Sequence, residues 1–122
     1  MQKKTYPKKK VMVRDLLFAI AFVILNLLVV VFLYREIILT TAFLILLTIS
    51  FIVYYKSQIL FPIFFFCMLG AVAEMFAISA GVWSYTISDI FGVPLWLFVL
   101  WGNTGLFIYE MSTWFERLGF RK

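Results

Sequence analysis

Long apolar stretches separated by short polar breaks dominate this chain. A helix that crosses about 30 Å of hydrocarbon needs about 20 residues, since each residue adds about 1.5 Å. Stretches of suitable length cover residues 16–33, 37–55, 59–82 and 93–114. Transmembrane strands would alternate apolar and polar residues over about 10 positions, and none of the stretches does so. The pattern therefore predicts an all-α integral membrane protein: a single domain over residues 1–122, with four transmembrane helices in an antiparallel bundle.

The composition supports a membrane protein and excludes several other classes. Hydrophobic residues make up 65% of the chain and charged residues 14%, whereas a soluble domain is roughly half apolar and about a quarter charged. A water-soluble fold, a disordered tail and a disulfide scaffold are therefore excluded. With no His and one Cys, the chain lacks the residues for His-based catalytic triads and His/Cys metal clusters, so we expect no metal and no cofactor.

The basic residues predict the orientation in the membrane. Most of the eleven Lys and Arg fall on one side of a four-pass layout, namely Lys3, Lys4, Lys8, Lys9, Lys10, Arg14, Lys56, Arg117, Arg121 and Lys122. Arg35 falls on the other side. The positive-inside rule then places both termini in the cytoplasm, and we expect the plasma (inner) membrane. We interpret the N-terminal lysines as this topology signal, with membrane lipids as partners and no nucleic acid.

Glu74 lies inside the third apolar stretch. It comes eight residues before Val82, where the stretch ends, which is roughly 12 Å along a helix. Placing a charge this deep costs on the order of 3 kcal/mol, so the side chain is expected to face protein or a water-filled cavity. A functional acid is one interpretation, and an interhelical hydrogen bond is the other.

Small residues surround Glu74 in the same stretch, at Gly70, Ala73, Ala77 and Gly81. The last three recur at every fourth position, the small-xxx-small pattern that lets another helix approach closely. We expect helix packing along this ladder, within the bundle, in a homodimer or in a larger membrane complex.

The fourth stretch carries a polar and aromatic stripe. Trp96, Asn103 and Glu110 are seven residues apart and fall near one face of a helix. Asn103 and Trp101 lie at a depth close to that of Glu74, and we expect Asn103 to donate a hydrogen bond to Glu74. Glu110 lies near the cytoplasmic end and is interpreted as a solvated terminal residue.

The connection before the fourth stretch is short and rich in aromatic rings. Its rings either anchor helix ends at the membrane interface, where Trp and Tyr are enriched, or cover an outward-facing pocket beside Glu74. The candidate ligand-binding residues of such a pocket are Trp83, Tyr85, Trp96, Trp101 and Asn103. Glu74 is the candidate catalytic residue.

The segment 74–101 resembles small membrane proteins of the carotenoid-biosynthesis and lycopene-cyclase-domain type. The similar elements are the intramembrane acid, GVWSY at residues 81–85 and GVP at residues 92–94. Where that family has a proline followed by paired glutamates, this chain reads PLWL at residues 94–97. In length and helix number the chain is also similar to small multidrug-resistance transporters, whose membrane glutamate lies in the first helix.

Three functions are consistent with these features. The first, which we favour, is binding or transport of a hydrophobic small molecule or lipid in the outward-facing pocket, with occupancy controlled by the protonation state of Glu74. The second is a prenyl-lipid or carotenoid-modifying enzyme in which Glu74 acts as general acid on a double bond. The third is a non-catalytic subunit that stabilises a larger membrane complex.

Overall fold

A computed structural model describes residues 8–120, which form five helices. They are α1 (Lys9–Leu33), α2 (Ile37–Tyr55), α3 (Leu60–Cys67), α4 (Leu69–Ser79) and α5 (Trp96–Arg117). Helices make up 75% of the described residues, and no strand occurs among them. The all-α prediction is therefore confirmed.

The third apolar stretch is a rod made of two helices. Met68 separates α3 from α4, yet its backbone keeps helical angles (φ −59°, ψ −21°), so the two helices run on almost continuously. Together with α1 and α2, this rod is long and apolar enough to cross a membrane. Three such helices mark the chain as an integral membrane protein. The fourth predicted span corresponds to α5, which is not apolar enough to qualify by the same measure.

The four long segments of the bundle, namely α1, α2, the α3–α4 rod and α5, alternate in direction. Trp114 Nε1, near the end of α5, donates to the Met12 carbonyl near the start of α1 at 2.9 Å. The Tyr55 hydroxyl, at the end of α2, donates to the Asp15 carbonyl at 2.7 Å. We call this end of the bundle, where α1 begins and α2 and α5 end, the basic end. The opposite end, where α1 and α4 end and α5 begins, is the far end.

The described basic residues are distributed unequally between these ends. Those near the basic end are Lys8, Lys9, Lys10, Arg14, Lys56 and Arg117, whereas Arg35 follows α1 at the far end. The predicted topology signal also includes Lys3, Lys4, Arg121 and Lys122, which lie outside the described residues. Within the described part of the chain, the clustering of positive charge at one end matches the prediction.

The helix with the lowest hydropathy lies at the centre of the bundle. α5 contacts α1, α2, α3 and α4, and its buried side chains include Asn103, Leu106 and Glu110. Large apolar side chains on the outer helices point away from the core and are exposed. This arrangement has a physical cause, because polar groups placed between helices are kept out of hydrocarbon.

Three glycines allow α5 to lie close against the α3–α4 rod. A Cβ added at Gly102 would collide with the Phe64 ring, and one added at Gly105 would collide with Cys67. Gly70 of α4 is covered in the same way by the Trp101 ring. Small residues at a helix interface let the backbones approach, so these three positions form the close crossing.

The predicted ladder of Ala73, Ala77 and Gly81 does not lie along one continuous helix. α4 ends at Ser79, and Gly81 adopts a left-handed backbone (φ 81°). The Val82 amide donates to the Ala77 carbonyl at 3.0 Å, and the Gly81 amide donates to the Ile78 carbonyl at 3.0 Å. This is the Schellman pattern that ends helices, with glycine in the position that requires positive φ. Gly81 therefore stops the helix rather than packing it.

The ladder's members are not buried in the core of the bundle. Ala73 is exposed and Ala77 is only partly buried, and nothing lies within 4 Å of a Cβ added at Gly81. The packing prediction therefore holds at Gly70 alone within the described chain.

A tight turn in the connection 80–95 leads into α5. Ile90 and Val93 exchange backbone hydrogen bonds at 3.0 and 2.9 Å around Phe91 and Gly92, both of which have positive φ. Asp89 Oδ1 then accepts from the Leu95 amide at 2.9 Å. An acidic side chain at a helix start accepts a hydrogen bond from a backbone amide that has no partner within the helix. Its negative charge also interacts favourably with the positive end of the helix dipole. α5 therefore begins at Trp96, three residues later than the predicted start.

Candidate functional site

Glu74 accepts hydrogen bonds from two aromatic side chains. Its Oε1 accepts from the Tyr85 hydroxyl, and its Oε2 accepts from Trp101 Nε1 at 2.5 Å. Gly70 lies one turn before Glu74 on α4, and its missing side chain makes room for the Trp101 ring. Tyr85 reaches the same carboxylate from the connection 80–95. The structure thus brings together three residues that the sequence singled out.

These three residues line a cavity of about 250 Å³. Its remaining walls come from α5, through Leu97, Leu100 and Thr104. The cavity has an aromatic and carboxylate side and an apolar side, which is the usual composition of a small-molecule site: apolar walls with a few fixed polar groups.

Trp96 supports this cavity from behind instead of lining it. Its indole Nε1 donates to the Tyr34 carbonyl at 3.1 Å, and the ring is 5% exposed. The edge of one ring faces the other between Trp96 and Tyr85, with centroids 6.2 Å apart and an 88° interplanar angle. Such edge-to-face pairs are favourable, so Trp96 fixes the position of the Tyr85 ring.

Two other predicted ligand-binding residues lie elsewhere. Trp83 is 46% exposed and does not line the cavity of Glu74. Asn103 is 1% exposed, and its partners are Asn26, Leu44 and Thr48. The predicted hydrogen bond from Asn103 to Glu74 is therefore wrong.

Asn103 is the centre of a polar network that joins three helices. Its Nδ2 donates to Asn26 Oδ1 on α1 at 2.8 Å and to the Leu44 carbonyl on α2 at 3.2 Å. Its Oδ1 accepts from the Thr48 hydroxyl at 2.5 Å. Buried polar groups that satisfy one another in this way link α1, α2 and α5 and fix their register. The role of Asn103 within the described chain is structural.

A second polar cluster lies at the basic end. Asp15 of α1 accepts from the Tyr54 hydroxyl of α2 at 3.0 Å. The same carboxylate lies 3.8 Å from Arg14 Nη2 and 3.5 Å from Arg117 Nη1 of α5. Sequence reasoning missed this cluster. The sequence signal for it was Asp15, which follows several basic residues and directly precedes the first apolar stretch.

Glu110 belongs to the basic end but is not a solvated residue, so that prediction is wrong. It is 7% exposed, and it lines a cavity together with Arg14, Asp15 and Arg117. The seven-residue spacing from Asn103 places both side chains on the inward face of α5, where both are buried.

The fold and these polar sites define a small helical membrane protein with a carboxylate-centred cavity near one end. No family model, curated protein or solved structure matches the chain. The interpretation of its function therefore depends on the geometry of the sites.

Tyr85 is expected to contribute to stability as a proton donor. Burial raises the pKa of Tyr85, and the hydrogen bond to Glu74 raises it further. Y85F should lower the free energy of unfolding at neutral pH by about 1–2 kcal/mol, since it loses a hydrogen bond to a carboxylate. Because the folded pKa exceeds the unfolded value, this contribution is fully present below about pH 10 and declines as pH rises further.

Unfolding of wild type and Y85F in detergent between pH 7 and pH 11 checks this expectation. The other tyrosines are common to both proteins, so their ionisation cancels in the difference. The difference should be constant up to about pH 9.5 and narrow above it. A difference that stays level over the whole range would contradict a proton-donor role for Tyr85.

Proposed function

We propose that this protein binds a hydrophobic small molecule or lipid in the cavity of Glu74, Tyr85 and Trp101. The observation that carries the proposal is a carboxylate that fixes two aromatic rings beside the apolar wall formed by Leu97 and Leu100. The rings and leucines supply apolar contact area, and the carboxylate sets the position of the rings. Passage of the ligand across the membrane would use the same cavity.

The hydrogen bonds at Glu74 favour binding over general-acid catalysis. Both neighbouring groups are donors, and each points at a different carboxylate oxygen. A general acid must instead present its own proton to the reacting atom. A protonated Glu74 would accept less well from Tyr85 or Trp101 and would hold that ring less firmly, which is how its protonation state would control occupancy of the cavity.

We place the cavity on the outward side of the plasma (inner) membrane, with α5 as the fourth span and both termini in the cytoplasm. The clustering of described basic residues at the basic end supports this orientation. Glu74 and Tyr85 belong to the opposite half, near the end of α4 and in the connection that follows it.

A saturable photolabelling experiment tests the proposal. Full-length protein in detergent micelles is labelled with 3-phenyl-3-(trifluoromethyl)diazirine, with or without an excess of its non-photoreactive phenyl analogue, and labelled peptides are identified by mass spectrometry. We expect labelling of residues 97–104 that the analogue displaces. Labelling of the exposed α1 residues Ile24, Leu25, Leu27 and Leu28 should not be displaced, because the probe contacts that apolar surface without a defined site.

E74Q should reduce the displaceable labelling about tenfold. Glutamine has one carbonyl oxygen and an amide that donates, so it accepts from Tyr85 or Trp101 but not well from both. Loss of one hydrogen bond to a charged group corresponds to about a factor of ten or more. E36Q, a change of the same chemistry at an exposed residue of the far end, is the control. The proposed site would be rejected if the analogue failed to displace labelling of residues 97–104 in the wild type. It would also be rejected if E74Q showed as much displaceable labelling as the wild type.

A further inference from the structure

The basic end contains a cavity that is separate from the cavity of Glu74. Its volume is about 360 Å³, and it opens between the start of α1 and the ends of α2 and α5. Two acids, two arginines and three tyrosines contribute most of the chemistry of its walls: Asp15, Glu110, Arg14, Arg117, Tyr54, Tyr55 and Tyr109. The formal charges balance, so the cavity suits a ligand that carries both signs of charge.

The acidic part of this cavity contains an unpaired carboxyl. Glu110 is 7% exposed. Among residues 8–120 no group forms a hydrogen bond or close ion pair with it, and Arg117 attracts it only through a longer-range charge interaction. Every fully buried side-chain oxygen of residues 8–120 has a hydrogen-bond partner. The Glu110 oxygens have none, so they are not fully buried and face the cavity that Glu110 lines. Most of the side chain is shielded from solvent while its oxygens face the cavity, so the carboxylate is suited to accept hydrogen bonds from a bound cation.

The basic part of the cavity contains unused donors. Arg14 donates from Nε to the Tyr54 hydroxyl at 3.1 Å and lies 3.8 Å from Asp15, and its side chain is 67% exposed. Arg117 contacts the other oxygen of Asp15 at 3.5 Å. A guanidinium has five N–H donors, so both arginines keep donors for a further anion, and their planar shape suits phosphate.

We propose that this cavity binds the headgroup of a phospholipid that carries a primary ammonium. The ammonium donates to Glu110 beside the rings of Tyr55 and Tyr109, and the phosphate accepts from Arg14 and Arg117. Tyrosine faces attract cations, which adds to the carboxylate. The position fits a lipid, because the cavity lies where three helices begin or end at the basic end, the depth of headgroups. A purely anionic lipid would meet Glu110 and Asp15 unfavourably.

Binding of short-chain lipids to the full-length protein in micelles tests this site. Dissociation constants from native mass spectrometry are compared for dihexanoyl phosphatidylethanolamine, phosphatidylcholine and phosphatidylglycerol, and for free phosphoethanolamine. The ethanolamine lipid should bind about tenfold more tightly than the choline lipid, because a trimethylated ammonium has no N–H to donate to Glu110.

Two variants separate the two halves of the headgroup. E110Q should lower the affinity for phosphatidylethanolamine about tenfold, to that for phosphatidylcholine. R14Q should weaken both lipids by a similar factor and leave their ratio unchanged, because both carry the phosphate. E36Q, at the far end, is the matched control and should bind as wild type does. The wild-type lipid series and R14Q decide the proposal even where E110Q fails to fold.

Three results would overturn the proposal. Equal dissociation constants for the ethanolamine and choline lipids would show that Glu110 does not recognise the primary ammonium. Tighter binding of phosphatidylglycerol would show a site for negative charge alone. Binding of free phosphoethanolamine as tight as that of the lipid would identify a soluble zwitterion, not a lipid, as the ligand.

Discussion

Replacing Asn103 with alanine is expected to lower the free energy of unfolding by about 2–3 kcal/mol. The substitution removes the hydrogen bonds of Asn103 to Asn26, Leu44 and Thr48. Without Asn103, the single hydroxyl proton of Thr48 is donated to the Leu44 carbonyl, 2.9 Å away. The main cost is therefore the buried Asn26 Oδ1, which is left without a donor. Denaturation in detergent with increasing dodecyl sulfate measures the change.

T104A is the matched control for N103A. Thr104 is the next residue on α5, it is exposed, and its hydroxyl donates to the Leu100 carbonyl of its own helix at 2.8 Å. We expect a change below about 0.5 kcal/mol. Equal effects of T104A and N103A would show that the central network does not hold the helices together.

Double-mutant cycles separate this network from the cavity of Glu74. N26A and N103A should be strongly non-additive, because they remove two ends of the same hydrogen bond. E74Q and N103A should be additive within about 0.5 kcal/mol, since they share no hydrogen-bond partner. Coupling between Glu74 and Asn103 would contradict the separation of the two sites.

Placing valine at Gly102 is expected to cost about 3 kcal/mol. Gly102 is buried against the Phe64 ring, and even a Cβ at this position would overlap the ring carbons. α5 would have to move away from α3, and the neighbouring contact of Gly105 with Cys67 would open with it. Unfolding in detergent measures the loss, and G102A should show a smaller loss of about 1–2 kcal/mol.

The combination with F64A tests the cause of this destabilisation. Removing the ring from a G102V background should cost at least 1 kcal/mol less than removing it from wild type, since the ring is the clashing group. A73V adds the same side chain at an exposed position of α4 and should change stability by less than about 0.5 kcal/mol. A73V as damaging as G102V would indicate that the predicted ladder, not the α3–α5 crossing, packs the protein.

Much of the helix layout follows from the sequence, because continuous apolar runs allow few alternatives. The second helix has the predicted bounds, 37–55, where polar residues flank the run on both sides. The predicted third helix extends three residues beyond the observed end at Ser79, because Gly81 was interpreted as part of a packing pattern. A glycine near the end of an apolar run is also a helix-stop signal, and only the left-handed backbone at Gly81 decides between the two.

The candidate site was only partly predictable for a related reason. Depth along a helix was sufficient to associate Glu74 with Trp101, but depth does not say which way a side chain faces. Asn103 lies two residues after Trp101 and therefore points to a different helix face, toward Asn26. The sequence signal for this partner was Asn26 itself, the single strongly polar residue in the first apolar stretch.

The central position of α5 has a consequence for how the protein enters a membrane. A helix that carries Asn103 and Glu110 partitions poorly into lipid by itself, and α5 is not apolar enough to be recognised as a span by its own composition. Asn103 finds its partners on α1 and α2, which are made first and are apolar enough to span a membrane by their own composition. We therefore expect α5 to be retained at the site of insertion until the earlier helices can receive it, so that biogenesis, and not only the folded state, depends on the central asparagine.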